Sequence, residues 1–392
     1  MRAPYTETVP DRAATSPSSS LPITGRPTAA RINLQLLSHN FNEVLHRADG
    51  RKILAVVKAQ AYGHGALRVS RHLQDLGADM LGVALIEEGS ELRAAGIETP
   101  ILVMGAVFPE QAESIARLGL TPVVYDMKVA RAIADAAQKQ KTKIAVHVKI
   151  DTGMGRIGIP PAAAEDFIVD LVNLRGITVQ GMMTHFADAD LRDKRFASKQ
   201  MGLFESLLKK LDSRGIAIPL RHAANSAAVL DYRRALFTMV RPGLMLYGYN
   251  PLEGEAVDAD LRPVLSLVTR IAFLKKVSAG VPISYGRTFV TKRESLIATI
   301  PIGYADGYSR GLSNRGEAIV RGVRVPVVGR VCMDMTMLDV TDVPDVSEGD
   351  EVVLIGSQGN ERITAGDIAV KTGTISYEVL CGISSRVPRV YV

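Results

Sequence analysis

Short apolar runs alternating with amphipathic stretches dominate the first two thirds of the chain. Ile53 to Val57 is five aliphatic residues, three of them β-branched, followed by a glycine-containing turn and an amphipathic stretch from about Ala66. That combination predicts a buried strand, a turn and a helix. The same rhythm recurs at Leu81 to Ile86, Ile101 to Met104, Pro122 to Tyr125, Ile144 to Ile150 and Val179 to Met183, with shorter runs at Pro219 to His222 and Met239 to Val240. Helical patterns fall between them, at Glu87 to Ala95, Pro109 to Leu118, Lys128 to Lys139, Pro161 to Leu174 and Lys194 to Arg214. Eight strand-helix repeats within residues 31–260 match a TIM (β/α)8 barrel in number and size.

Near Leu261 the rhythm changes to short β-rich runs punctuated by Gly and Pro: Val264 to Leu274, Leu296 to Ile300, Ala318 to Val320, Val325 to Val327, Met337 to Val340, Glu351 to Ile355 and Val387 to Val392. These predict a mostly β C-terminal domain over residues 261–392. Residues 1–30, rich in Pro, Ser, Thr and Ala and without an apolar stretch suited to secretion, read as a disordered tail. The fold class is therefore α/β, a barrel followed by a β domain.

Composition narrows the function classes. At 392 residues, 47% apolar and 22% charged, the chain is long enough for two packed domains, and no apolar run approaches the length that spans a bilayer. The net charge of +6 is dispersed, and the densest patch, Lys139 to Lys143, holds three lysines, so a nucleic-acid partner is not expected. The excess suits anionic small molecules instead. Two distant cysteines, Cys332 and Cys381, fit reduced thiols in a cytoplasm.

Two residues carry candidate chemistry. Lys58 ends the first apolar strand, and the carboxyl ends of barrel strands face the active site, where partial desolvation lowers an amine's pKa and favours covalent capture of an aldehyde. A strand-end lysine is otherwise most often a snorkelling surface residue. Tyr285, in Ile283-Ser284-Tyr285-Gly286-Arg287-Thr288, offers a second proton carrier, although an aromatic residue in a β domain is ordinarily core. Two bases on opposite faces of one carbon are what a racemisation needs.

The string Ala55-Val56-Val57-Lys58-Ala59-Gln60-Ala61-Tyr62-Gly63-His64-Gly65 resembles the cofactor-attachment segment of the alanine racemases. Further stretches similar to that family follow in family order: Lys149 to Arg156, Thr184 to Ala187, Ala224 to Ser226, Val240 to Gly243, Pro301 to Tyr308, Cys332 to Asp334 and Ser376 to Glu378. One departure is Gln60, where the family usually has Asn.

The resemblance implies pyridoxal 5'-phosphate carried by Lys58, its phosphate held by Tyr62, Ser226, Gly243, Leu244 and Tyr377 beside Asn225, and His185 packed near it. It implies Arg241 facing the pyridine nitrogen, where a guanidinium can only donate and keeps that nitrogen unprotonated. It further implies Arg156, Met333 and Asp334 at the substrate carboxylate, Tyr304 and Tyr377 at the entrance, and Lys149 at a position that some members carbamylate. Lys58 and Tyr285 become the two bases, with Tyr285 arriving across a homodimer interface. The activity implied is interconversion of L- and D-alanine, supplying D-alanine for peptidoglycan, with a broad-specificity amino-acid racemase on the same scaffold as runner-up. Cofactor-carrying binding proteins of this kind lack a C-terminal β domain, related decarboxylases place a carboxylate where Arg241 stands, and zinc-dependent dehydratases need a His/Cys metal site in the β domain. No histidine follows His222, so no metal is expected.

Overall fold

The computed structural model describes residues 25–252 and 258–392. Strand β1 (Ala29–Ile32) is followed by the helix Leu34–Ala48 and then by eight parallel strands. These are β2 (Lys52–Val56), β3 (Met80–Val83), β4 (Ile101–Val103), β5 (Thr121–Val124), β6 (Ile144–Lys149), β7 (Ile177–Met183), β8 (Leu220–His222) and β9 (Met239–Val240). Each pairs with its predecessor from β3 to β8, and β9 returns to pair with β2 through Lys52↔Met239 and Ile53↔Val240. Two backbone bonds, Thr238 N–H to Arg221 at 3.1 Å and Arg241 N–H to Ala224 at 2.9 Å, bring the β8 and β9 edges together and nearly close the barrel. All eight runs expected from the apolar pattern are barrel strands. Parallel strands covered on both faces need apolar residues throughout, and every residue of β3, β4 and β5 is buried.

Surrounding helices follow their pattern equally closely. Met127–Lys139 buries Ala130, Ile133, Ala134 and Ala137 on one face, and the Asp126 side chain accepts the Lys128 N–H at 2.6 Å as its N-cap.

The remainder is mostly β. Strand β10 (Leu265–Arg270) lies between β1 and Glu351–Gln358 in a seven-stranded sheet, while Phe273–Val277, read as a continuation of the same run, turns into a separate three-stranded sheet with Ser295–Ile300 and Thr336–Asp339. Two helices not anticipated from the β-rich pattern, Ala365–Thr372 and Ser376–Cys381, pack against each other, and the second brings Tyr377 and Cys381 to the barrel mouth. Thr364 and Asp367 form a capping box on the first.

The N-terminal segment departs from expectation. Residues 1–24 of the expected tail lie outside the described residues, but residues 25–30 are not tail. Ala29–Ile32 pairs antiparallel with β10 and parallel with Arg389–Tyr391, so this strand is built into the C-terminal sheet. The physical reason is burial: Thr28, Ala30 and Ile32 are fully inaccessible, an alternation that a composition rich in small residues conceals.

Candidate active site

Beyond β2 the backbone turns left-handed. Ala59, Gln60, Ala61 and Tyr62 all have φ between 52° and 55°, four consecutive non-glycine residues in a region that costs roughly 1–2 kcal/mol each. Hydrogen bonds hold the turn in place. Glu88 accepts the Ala59 N–H at 2.6 Å and the Ala84 and Leu85 N–H groups at 2.7 and 3.1 Å, and buried His64 Nδ1 sits 3.0 and 2.9 Å from the Ala61 and Tyr62 carbonyls. Strain of this kind, over-determined by its surroundings, is characteristic of functional segments. Its consequence here is to aim Lys58 and Tyr62 into the barrel mouth. Gly63 closes the turn against the helix Ser376–Cys381, where a Cβ would collide with the Leu380 carbonyl oxygen.

The mouth opens on a cavity of about 600 Å³. Lys58, Tyr62, Lys149, Arg156, His185, Asn225, Ser226, Arg241, Gly243, Leu244 and Tyr377, eleven residues singled out in the sequence, all line it. Its charge is one-sided: Lys58, Lys149, Arg156 and Arg241 line the walls, and among the described residues no carboxylate does. Burial first and Arg156 second lower the Lys58 pKa. Lys149, only 4% exposed, is held well below the ordinary lysine value by burial and then by Arg241 and Arg156.

Arg241 is enclosed at the cavity floor. Its guanidinium donates to the Thr184 and Ala223 carbonyls at 2.8 and 3.0 Å and to His222 Nδ1 and His185 Nδ1, both at 3.2 Å. Burial lowers its pKa to about 9, which still leaves it charged at neutral pH, and keeps His185 well below the ordinary histidine value. Opposite, Ser226 Oγ accepts the Gly243 N–H at 2.8 Å and lies 3.4 Å from Met245 N, so its own proton is free for a ligand. Leu244 begins the 3-10 turn Leu244–Tyr247, whose first N–H has no partner within the turn. A Cβ on Gly243 would stand 2.6 Å from the Tyr62 hydroxyl, so only glycine leaves this corner open. Asn225 caps the helix Ser226–Asp231 by accepting the Ala228 N–H at 3.1 Å.

Four singled-out residues lie elsewhere. Tyr285 is 71% exposed, Met333 52% and Tyr304 42%, and Asp334 is also exposed; none lines the cavity of its own chain. Tyr285 follows Ser284, whose φ of 67° and ψ of −176° a side chain rarely adopts, and Ser284 Oγ anchors the bend by donating to the Arg330 carbonyl at 2.6 Å.

Comparison with known proteins decides the family. The family models for the alanine racemase N-terminal and C-terminal domains match residues 32–251 and 264–391. The chain is 50% identical over 367 residues to the alanine racemase of Halothermothrix orenii, covering 93% of this chain and 97% of that one. The chain belongs to the alanine racemase family. Among solved structures, the alanine racemase of Clostridium difficile 630 superposes with a TM-score of 0.89 at 41% identity, covering 94% of this chain and 96% of the other. That of Bacillus anthracis with bound L-Ala-P superposes at 0.87 and 37% identity, covering 94% and 95%.

Several residues of this racemase-family site escaped the sequence reading. His147 and His222 form a buried pair behind Arg241, with His147 Nδ1 and His222 Nε2 2.7 Å apart. Their signal was a polar residue inside an apolar strand, on β6 and β8. Cys381 lines the cavity four residues after Tyr377, the helical spacing that places both on one face. Gln60, where the alanine racemases usually have Asn, reaches away from the cavity, 3.4 Å from Glu91 and 3.4 Å from the Ala66 N–H. Glu88 reads as an ordinary first-turn acid capping Ile86–Ala94, and its bond to Ala59, 29 residues earlier, carried no local signal.

Proposed function

We infer that this chain racemises alanine with pyridoxal 5'-phosphate, as a homodimer whose two sites are each completed by the partner subunit. The observation that carries the reading is the basic cavity, with Lys149, Arg156 and Arg241 arranged around Lys58, a lysine of lowered pKa, and no acid on its walls among the described residues. Such a cavity calls for a ligand with several negative charges, which a phosphate, a phenolate and a substrate carboxylate together supply.

The residues present fit the cofactor. Ser226, the Leu244 N–H, Tyr62 and Tyr377 would hold its phosphate in the corner that Gly243 keeps open, Lys58 its aldehyde carbon and Arg241 its ring nitrogen, with His185 and Asn225 alongside. Bound pyridoxal phosphate supplies the electron withdrawal that lets an α-proton leave.

Arg156 orients the substrate carboxylate, with Met333 and Asp334 of the partner subunit closing the pocket. Its neutral fraction raised by burial, the Lys58 amine takes or returns the α-proton on one face, and Tyr285 of the partner does so on the other. The exposure of Tyr285, Tyr304, Met333 and Asp334 within one chain supports a shared site. Tyr304 and Tyr377 narrow the entrance. Carbamylation of Lys149, in which its neutral amine adds CO2 and releases a proton, would place an anion beside Arg156 and Arg241; burial of Lys149 favours the neutral amine this chemistry needs. On this reading the reaction runs in the cytoplasm and supplies D-alanine for peptidoglycan.

Incubating the purified holoenzyme with L-alanine, L-serine or L-lysine and resolving enantiomers by chiral chromatography tests the activity. Accumulation of D-alanine well ahead of D-serine and D-lysine is expected. No D-alanine would overturn the reading, and equal turnover of all three would replace it with a broad-specificity racemase.

A further inference from the structure

Arg26 stands three residues before β1, and its guanidinium reaches Asp306. Nη1 donates to Oδ2 at 2.9 Å and Nη2 to Oδ1, while Nη1 also donates to the Pro301 carbonyl at 3.0 Å. The Asp306 side chain is entirely buried, so this is an internal charge in need of partners, unlike a surface ion pair of little consequence. A second cation, Arg386, lies 3.5 Å from Asp306 Oδ1 and donates to Asp334 Oδ1 at 2.7 Å.

What Asp306 holds is the turn Tyr304–Asp306. Its Oδ2 accepts the Gly303 N–H at 3.0 Å and fixes the start of the turn. From there the Tyr304 N–H donates to Cys332 at 3.0 Å and the Ala305 N–H to Met333 at 3.1 Å, so the segment bearing Met333 and Asp334 hangs directly on this turn. On the other side Ser384 N–H donates to the Asp306 carbonyl at 3.0 Å. Neither Gly303 nor Gly307 has room for a Cβ between these backbones, so a shift of the turn carries both neighbours with it.

We propose that Arg26 is a positioning residue for the substrate pocket of the partner subunit, acting through Asp306 on the Tyr304–Asp306 turn and the Cys332–Met335 segment. This rests on the reading that Tyr304, Met333 and Asp334 complete the partner's site. It gives the N-terminal segment a task in the reaction beyond its strand pairing. Thr28, which donates to Pro301 at 2.8 Å and meets Thr269 at 2.9 Å, together with the β1 ladders, keeps the segment attached when Arg26 alone is changed.

The test compares Arg26→Gln, Arg26→Lys and the double variant Arg26→Gln/Asp306→Asn as holoenzymes. Arg26→Gln should raise KM for alanine on the order of tenfold with kcat within about threefold, because the affected contacts bind ground and transition states alike. Arg26→Lys and the double variant should recover part of that loss, since each avoids a buried carboxylate that has lost its nearest cation. Mixed dimers locate the effect. In a dimer of an Arg26→Gln chain with a Lys58→Ala chain, the surviving site combines Lys58 of the first with the intact segment of the second, and KM should be normal. With both substitutions on one chain and a wild-type partner, the surviving site uses the altered segment, and KM should be raised. Active mixed dimers with normal KM in both pairings and in the Arg26→Gln homodimer would overturn the proposal while leaving the shared site standing. A raised KM in the first pairing alone would overturn the shared-site reading, and the proposal with it.

Discussion

Arg241 donates to His222 Nδ1, and that single bond fixes two protons at the barrel floor. A guanidinium has no acceptor, so His222 carries its proton on Nε2 and donates it to His147 Nδ1 at 2.7 Å, which places the His147 proton on Nε2. Both rings are buried and therefore neutral, presenting Arg241 with an acceptor and no competing charge.

Neutrality at this depth predicts an acid-labile core. Burial lowers the His147 and His64 pKa values to about 4, below the unfolded value near 6.5. Between those limits the unfolded chain binds more protons, so stability is fully present above pH 6.5 and falls as pH drops toward 4, by up to about 3 kcal/mol for each ring. Asn at position 147 keeps an oxygen near the Nδ1 acceptor but cannot titrate. His147→Asn should lose roughly 1 kcal/mol at pH 7 and show a shallower decline of Tm with acidification. Parallel Tm curves for the two proteins from pH 7 to 4.5 would show that His147 does not titrate with unfolding.

The left-handed turn offers a stabilising change. Ala59 is exposed at φ 52°, where glycine avoids the Cβ penalty at the expense of greater freedom in the unfolded chain. Ala59→Gly should gain on the order of 0.5–1 kcal/mol while leaving the Glu88 bond to its N–H intact. Denaturant midpoints compared at equal m-value measure it, and a lower midpoint would mean that the turn is less strained than its dihedrals imply.

Gly63 gives the opposite sign. At φ 82°, with the Leu380 carbonyl in its path, Gly63→Ala must push the helix Ser376–Cys381 away from the Tyr62 turn. A loss of about 2–4 kcal/mol is expected, together with weaker cofactor retention because Tyr377 and Cys381 move with the helix. Retention on dialysis, followed by visible absorbance, is the discriminating measurement. Unchanged retention in a destabilised protein would separate that helix from the cofactor corner.

The barrel was legible because parallel strands buried on both faces must be apolar runs, and eight of them recur along residues 31–260, most with helical patterns between them. Lys58, Arg241 and Ser226 were legible as family motifs at strand ends. Three things were not. β1 pairs with strands more than two hundred residues away in sequence, and its alternation spans only four residues, too short to stand out beside a Pro- and Ser-rich stretch. Asp306 reads as a turn residue in Gly303-Tyr304-Ala305-Asp306-Gly307, and only its complete burial identifies it as a charge that Arg26 must match. Glu88 acts on Ala59 and His147 on His222, groups that the fold alone brings near.

Tyr285→Phe separates a two-base from a one-base reaction, since it removes a proton carrier while keeping a ring of nearly the same shape. The exposed position of Tyr285, on a bend strained at Ser284, makes a structural penalty small, so lost activity reports on chemistry. If Lys58 serves one face alone, the variant should still exchange the α-proton of one alanine enantiomer with deuterated solvent. Exchange from the other enantiomer, and net racemisation, should fall by at least the roughly 10²-fold that a general base contributes. The measurement is mass-spectrometric deuterium uptake into L- and D-alanine incubated separately. Equal loss for both enantiomers would show that Tyr285 shapes the pocket without carrying a proton.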